Sequence, residues 1–262
     1  MSLVLSLQIP DGLVIAGDSL STMQGNLQIQ ADVDTDCPQC GAAVNQRLNI
    51  QGPPIPTTTF SYAQKIFPFM EEFGVGTFGA SQVGGKTMYF AVRELEQELL
   101  EDDHDHPMDT VTNAAQRIGD RAHELLSEQD DNLENRPDDH FEVGFQVVGY
   151  SENDPEIVEV KVGKNVERNK KDEITASGTH YIVESLHDAW GGRDAMPAFE
   201  AFSLQDAINY AKFMIRTTAE HQEFSPKMAN VGGEIDIGLI TPFNGFQWIQ
   251  QKDLSQTLEQ VR

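Results

Sequence analysis

Three places along the chain hold residues whose types and spacing could do chemistry. The first is the start, where Met1 precedes Ser2. Removal of an initiator methionine is expected before a small residue, and it would leave a hydroxyl and a free α-amine on one residue. Such an amine titrates near about 7.7–8.0, so at neutral pH it can take the proton that keeps a serine hydroxyl a poor nucleophile. With Met1 retained, the base is gone and Ser2 is an ordinary second residue. The second place is Cys37-Pro38-Gln39-Cys40, half of a zinc ribbon. Zinc takes four ligands, and the chain has only 2 cysteines, so a metal would need histidines from elsewhere or from a neighbouring subunit. A redox-inert loop competes with that reading. The third is His104-Asp105-His106, which could bind a metal but reads first as an exposed acidic loop. No metal and no cofactor is expected.

Composition bounds the partners. With 18 basic against 42 acidic residues the net charge is −24, which repels both a nucleic-acid backbone and an anionic membrane. No apolar run is long enough to span a bilayer, and no basic region precedes an apolar stretch at the N-terminus. A cytoplasmic location is expected, since two cysteines make no disulfide framework. The acidic runs at Glu101-Asp102-Asp103, Asp130-Asp131 and Asp138-Asp139 fit either a protein adapted to high salt, where screening removes self-repulsion, or an ordinary solvated surface.

The elements that must position such residues follow from periodicity. Residues 2–18 read as two strands about Asp11-Gly12, with Leu3, Leu5 and Leu7 alternating before the run Leu13-Val14-Ile15-Ala16. From about 23 to 62 the pattern dissolves around Cys37, Cys40, Pro53, Pro54 and Pro56, and this stretch reads as an insertion or arm on a single domain spanning 1–262. A strand is expected from Lys65, and another over Phe73–Ala80 with small residues on one side. Met88, Val92, Leu95 and Leu99, then Met108, Val111, Ala115, Ile118, Ala122 and Leu125, recur at helical spacing. Strands follow at 141–150, 156–162 and 174–178, then helices at about 179–190 and 203–221. Ser203 and Asp206 stand at capping-box spacing ahead of the second. The chain closes with a hairpin around Asn244-Gly245. Two facing sheets with a helix layer outside each would bury all of these stripes.

That order, together with several separated motifs in register, resembles the proteasome β subunit and its bacterial relative HslV, which are N-terminal-nucleophile hydrolases. Asp18-Ser19-Leu20-Ser21-Thr22 is similar to the family's Asp-x-Arg-x-Thr, with Leu20 at the arginine. Lys65, displaced by the insertion, is similar to the active-site lysine. Gly79, fourteen residues on, matches the oxyanion-hole glycine, and Ala176-Ser177-Gly178 resembles the Gly-Ser-Gly that carries an accessory serine. Gly232-Gly233-Glu234-Ile235-Asp236 matches a Gly-Gly-x-x-Asp segment. The family's second aspartate and its neighbouring serine fall on Met228 and Val231; HslV also lacks that aspartate.

The resemblance implies an α+β fold, a four-layer αββα sandwich. It implies catalytic roles for Ser2 as nucleophile, Asp18 as anchor of Lys65, Lys65 as the charge that keeps the amine neutral, Ser177 as accessory, and the Gly79 amide as oxyanion donor. Thr22 and Gly79 would bind the substrate chain. The implied activity is a peptidase acting on peptides or unfolded protein through an acyl-enzyme, in a self-assembling ring with an ATPase partner left unidentified. Resolution of the acyl-enzyme by an amine would make it a peptide ligase or transpeptidase. A non-catalytic scaffold or partner-binding subunit is the reading from another class, and the missing aspartate and arginine favour it.

Overall fold

The computed structural model describes residues 2–36, 40, 43–101, 110–189, 197–225 and 229–253. Met1, Cys37, His104, Asp105, His106, Met108 and Met228 lie outside them. The chain divides into two compact units, Met1–Ser21 with Phe60–Arg262, and Thr22–Thr59.

In the larger unit, β1 (Leu3–Ile9) turns into β2 (Gly12–Asp18), and β12 (Ile174–Gly178), β13 (Ile235–Thr241) and β14 (Gly245–Gln250) complete an antiparallel sheet ordered β12-β1-β2-β13-β14. A second antiparallel sheet is ordered β11-β10-β9-β6-β5, from β5 (Ile66–Phe69), β6 (Phe73–Gly79), β9 (Phe141–Ser151), β10 (Asp154–Gly163) and β11 (Val166–Lys170). Two-residue strands β7 (Gln82–Val83) and β8 (Lys86–Thr87) pair with each other.

Four helices are described. Helices α1 (Met88–Glu101) and α2 (Val111–Gln129) put Val92, Ile118 and Leu125 into one apolar cluster with Phe67, Val75 and Val147 of the second sheet. Helices α3 (Tyr181–Ala189) and α4 (Leu204–Glu223) put Val183, Ile208, Ala211 and Ile215 against Leu3, Leu5 and Leu7 of the first. The Ser203–Asp206 capping box is formed, so the expected start of α4 is where its first orphan amides are satisfied. The strand β11 was not expected; Val-Glu-Arg-Asn-Lys carries no apolar alternation, and pairing with β10 at the sheet edge supplies what the pattern lacks.

A third cluster joins the sheets. Val4, Leu13, Ile15 and Ile240 of the first meet Ile66, Phe78, Val148 and Ile157 of the second. Strand β1 therefore sends odd residues toward α4 and even ones toward the other sheet, and β2 is buried throughout. That explains its unbroken apolar run, since a strand covered on both faces has no solvent side to mark with polar residues.

In the smaller unit β3 (Ser21–Asp36) and β4 (Ala43–Phe60) pair as a two-stranded sheet. No regular structure was expected there. Leu27, Ile29, Ala31 and Val33 do alternate with Gln28, Gln30, Asp32 and Asp34, which is strand periodicity. The prolines obscured it, yet in a two-stranded sheet every strand is an edge, where proline is tolerated. Among the described residues no helix is long and apolar enough to cross a membrane.

The close approach of the sheets depends on glycine. A Cβ at Gly76 would sit 2.4 Å from Val4 Cγ1, and one at Gly74 would sit 2.9 Å from Ile240 Cδ1. Gly76→Val is expected to cost about 1–3 kcal/mol through overpacking, read as a lower urea midpoint at unchanged slope. An unaltered midpoint would mean that Val4 yields without cost.

Candidate active site

The Asp18 carboxylate is the meeting point of three segments. Asp18 closes β2 and is 1% exposed. Its Oδ1 accepts from the Leu3 amide at 3.0 Å and from Lys65 Nζ at 2.8 Å; its Oδ2 accepts from the amides of Leu20 at 3.1 Å and Gly232 at 3.0 Å. Lys65 Nζ also donates to the Leu20 carbonyl at 2.5 Å. Leu20 lacks a cationic side chain, but its backbone grips both members of the pair. Burial lowers the Lys65 pKa; Asp18 pulls it back up and the charge of Lys252 lowers it again, leaving it below the ordinary lysine value.

Ser2 is 4% exposed and directly precedes the Leu3 amide held by Asp18. Continuing the alternation of β1 puts it on the side of Val4 and Ser6, which faces the second sheet. Its carbonyl accepts from the Thr179 amide at 2.7 Å. Strand β12 runs alongside, Leu3 opposite Gly178. A Cβ at Gly178 would fall 2.0 Å from the Ser2 carbonyl oxygen and 3.3 Å from Phe78 Cβ, and its φ is +85°; only glycine fits there. Gly79 follows Phe78 at the end of β6, half-buried with φ +86°. Ser2, Asp18 and Lys65 thus converge at the Asp18 carboxylate, and Phe78 of the second sheet lies beside Gly178.

The other two expected residues sit differently. The Ser177 hydroxyl donates to Glu159 Oε1 at 2.5 Å and accepts from Gln146 Nε2 at 2.7 Å. Gln146 Oε1 in turn accepts from Ser6 Oγ at 2.6 Å, while Nε2 also reaches the carbonyls of Thr175 and Val4. Ser177 is therefore a link in a polar chain that stitches the sheets together. Thr22 belongs to the smaller unit, in β3.

Several partners escaped sequence reasoning. Glu159 alternates with Val158 and Val160 and reads as solvent-facing, but the other sheet covers that face. Gln146 is a lone polar residue inside an apolar strand, and that was its signal. Lys171, in what reads as a polar connection, bonds Glu159 Oε2 at 2.9 Å. A second buried pair joins Lys252 Nζ to Asp236 Oδ2, with the Lys252 amide 2.8 Å from Oδ1. Asp236 was visible only as the end of the Gly-Gly-x-x-Asp segment. Cys40 is exposed with a free thiol, and among the described residues no group of three or more His, Cys, Asp or Glu is placed to hold a metal.

No protein-family model matches the sequence, and no curated protein does. Solved structures do resemble it. A Gly-1 mutant of Anbu from Hyphomicrobium sp. strain MC1 superposes with a TM-score of 0.56 at 16% identity, over 100% of this chain and 96% of that one. Anbu from Yersinia bercovieri, described as an ancestral β-subunit, gives 0.55 at 13% identity, over 98% and 90%. At these identities the fold is what is shared: a mixed α+β, proteasome-like fold.

Burial pushes the Glu159 carboxyl up, but the Ser177 hydroxyl, Lys171 and Lys161 outweigh it and hold it below its ordinary 4.5. A carboxyl whose folded pKa is depressed adds stability that is complete above its unfolded pKa and is lost as pH falls through the folded one. The stability difference between the parent protein and Glu159→Gln is therefore expected to be constant above about pH 5 and to shrink on acidification below 4.5. Urea titrations of both proteins across that range measure it; a difference independent of pH would mean that Glu159 is unperturbed.

Proposed function

We propose that this protein is a proteasome-like N-terminal-nucleophile peptidase acting through Ser2 once Met1 is removed. The observation that carries the reading is the shared Asp18 oxygen. One atom accepts from Lys65 and from the amide adjoining Ser2, so the lysine charge is anchored at the root of the proposed nucleophile. The Anbu-like fold supports it further; in this reading its layers form a four-layer αββα sandwich, which the three apolar clusters support.

In the reaction, the Ser2 α-amine takes the proton of Oγ as Oγ bonds to the carbonyl carbon of a peptide. The Lys65 charge lowers the amine's pKa and keeps it neutral. The Gly79 amide receives the developing oxyanion. The C–N bond then breaks, the proton passes to the departing amine, and an ester remains on Ser2. Water hydrolyses that ester; an amine in its place gives ligation. Ser177 supports the sheet edge beside Ser2. The substrate is a peptide or unfolded protein, the working state is a self-assembled cytoplasmic ring, and no metal takes part. An ATPase partner is unidentified.

The satisfied Ser177 hydroxyl favours a second reading, a non-catalytic scaffold of the same fold. Intact mass of the purified protein with and without a peptide β-lactone separates them. Ser2 exposed as the first residue and carrying a lactone adduct is expected, abolished by Ser2→Ala and kept by Ser2→Thr. Lys65→Ala is expected to lose labelling where Lys164→Ala does not, and to lose about 3–5 kcal/mol by leaving Asp18 without its counter-charge. An unlabelled protein with Met1 in place would establish the scaffold.

The paired strands of the smaller unit act, in this reading, as an arm for substrate screening or assembly. The chain ends flanking it are already tied within the larger unit, the Ala63 amide to the Ser19 carbonyl at 2.9 Å. Replacing residues 26–57 with a short Gly/Ser linker is expected to leave the larger unit folded and to change substrate range or oligomeric state, measured by peptide cleavage and light scattering. Unchanged values for both would reduce the arm to a tolerated loop.

A further inference from the structure

The loop that supplies the Gly232 amide to Asp18 carries Val231 where the resemblance puts a serine, and that side chain is buried among apolar ones. The loop is held instead from α4. Gln222, in the last turn of that helix and 4% exposed, accepts the amides of Asn230 at 2.8 Å and Val231 at 3.0 Å through Oε1. Its Nε2 donates to Asn230 Oδ1 at 3.0 Å. The same Oδ1 accepts from Thr179 Oγ1 at 2.9 Å. Thr179 in turn gives its amide to the Ser2 carbonyl. On the other branch, the Gly232 amide donates to Asp18 while its carbonyl accepts from the amides of Ser19 at 3.0 Å and Leu20 at 2.8 Å. One buried side-chain amide is thus wired to both halves of the site.

We infer that Gln222 is a positioning residue for the Ser2 reaction, acting through Asn230 and Thr179 on the Ser2 backbone and through Gly232 on Asp18. The inference rests on the functional reading above. A side-chain amide suits the task because it offers acceptor and donor together: Oε1 takes the two loop amides while Nε2 orients Asn230 so that its oxygen faces Thr179. A leucine of similar size would fill the space and hold neither. The rate of a reaction that depends on alignment falls on the order of 10²-fold for a misplacement of about 1 Å, so loss of this brace should appear in rate and not in affinity for the acyl donor.

The test uses the full chain with a peptide β-lactone. In the labelling step the Ser2 Oγ proton moves to the α-amine, Oγ bonds to the lactone carbonyl, the ring C–O bond breaks, and the proton ends on the released alkoxide. Gln222→Leu and Thr179→Val, the latter keeping its amide, are each expected to slow maximal Ser2 acylation on the order of 10²-fold with unchanged half-saturation. The double variant is expected to be no slower than the slower single one, because both act along one path. Folded variants that acylate at the parental rate, or effects that multiply in the double variant, would overturn the inference while leaving the nucleophile assignment intact. Should Gln222→Leu fail to fold, a parental rate in Thr179→Val overturns it equally. Absence of a Ser2 ester in the parent protein overturns the functional reading and this inference with it.

Discussion

A carboxylate out of contact with water is the constraint around which this molecule is arranged. Transfer of an isolated carboxylate to a protein interior costs several kcal/mol even after relaxation. Each hydrogen bond to a charged group returns about 1.5–3 kcal/mol, so one partner would not suffice. Asp18 has four, from Leu3, Leu20, Gly232 and Lys65. Three are backbone amides from β1, from the residues after β2 and from the loop before β13. None can be supplied without bringing those segments to one point. The same requirement seats the Lys65 ammonium, whose own burial is offset by Asp18 and the Leu20 carbonyl.

The interior between the sheets is correspondingly two-natured. Its middle is apolar, with Val4, Ile15, Ile66 and Val148 in contact. Polar groups occur there as closed sets: Ser6, Gln146, Ser177 and Glu159 form one, Asp236 and Lys252 another, Asp18 and Lys65 a third. A buried polar set is tolerable when its members are partnered and costly when one is not. These sets also oppose slippage of one sheet over the other, because sliding would carry the partnered atoms out of hydrogen-bonding reach.

The charge balance sharpens the point. With only 18 basic residues in a chain of net charge −24, two lysines are nevertheless spent in the interior, Lys65 and Lys252. Surface acidity is screened by salt over about 10 Å at ordinary ionic strength, but pairs this deep are screened far less. Each of the two is matched by a buried aspartate, Lys65 by Asp18 and Lys252 by Asp236, so the ammonium groups are held inside a strongly negative molecule as ion pairs.

What the sequence by itself determined was periodicity and local chemistry. Leu3, Leu5 and Leu7 marked one face of β1; the heptad-like stripes of α1 and α2 and the Ser203–Asp206 cap marked helices; Asp18, Lys65 and Gly79 stood out through a family resemblance carried by their register. The periodicities and the cap are local, and steric and hydrogen-bonding preferences within a few residues are enough to produce them; the resemblance is carried by the register of separated motifs. Tertiary structure decided what depends on who lies opposite. Glu159 has the spacing of a solvent-facing residue and becomes an internal partner because a second sheet covers it. Ser177 has the setting of a site residue and bonds instead to Gln146 and Glu159. Gln222 reads as one more polar residue near a helix end until Asn230 and Val231 fold back over it. No spacing rule contains such pairings, because they join residues brought together only when the apolar faces close.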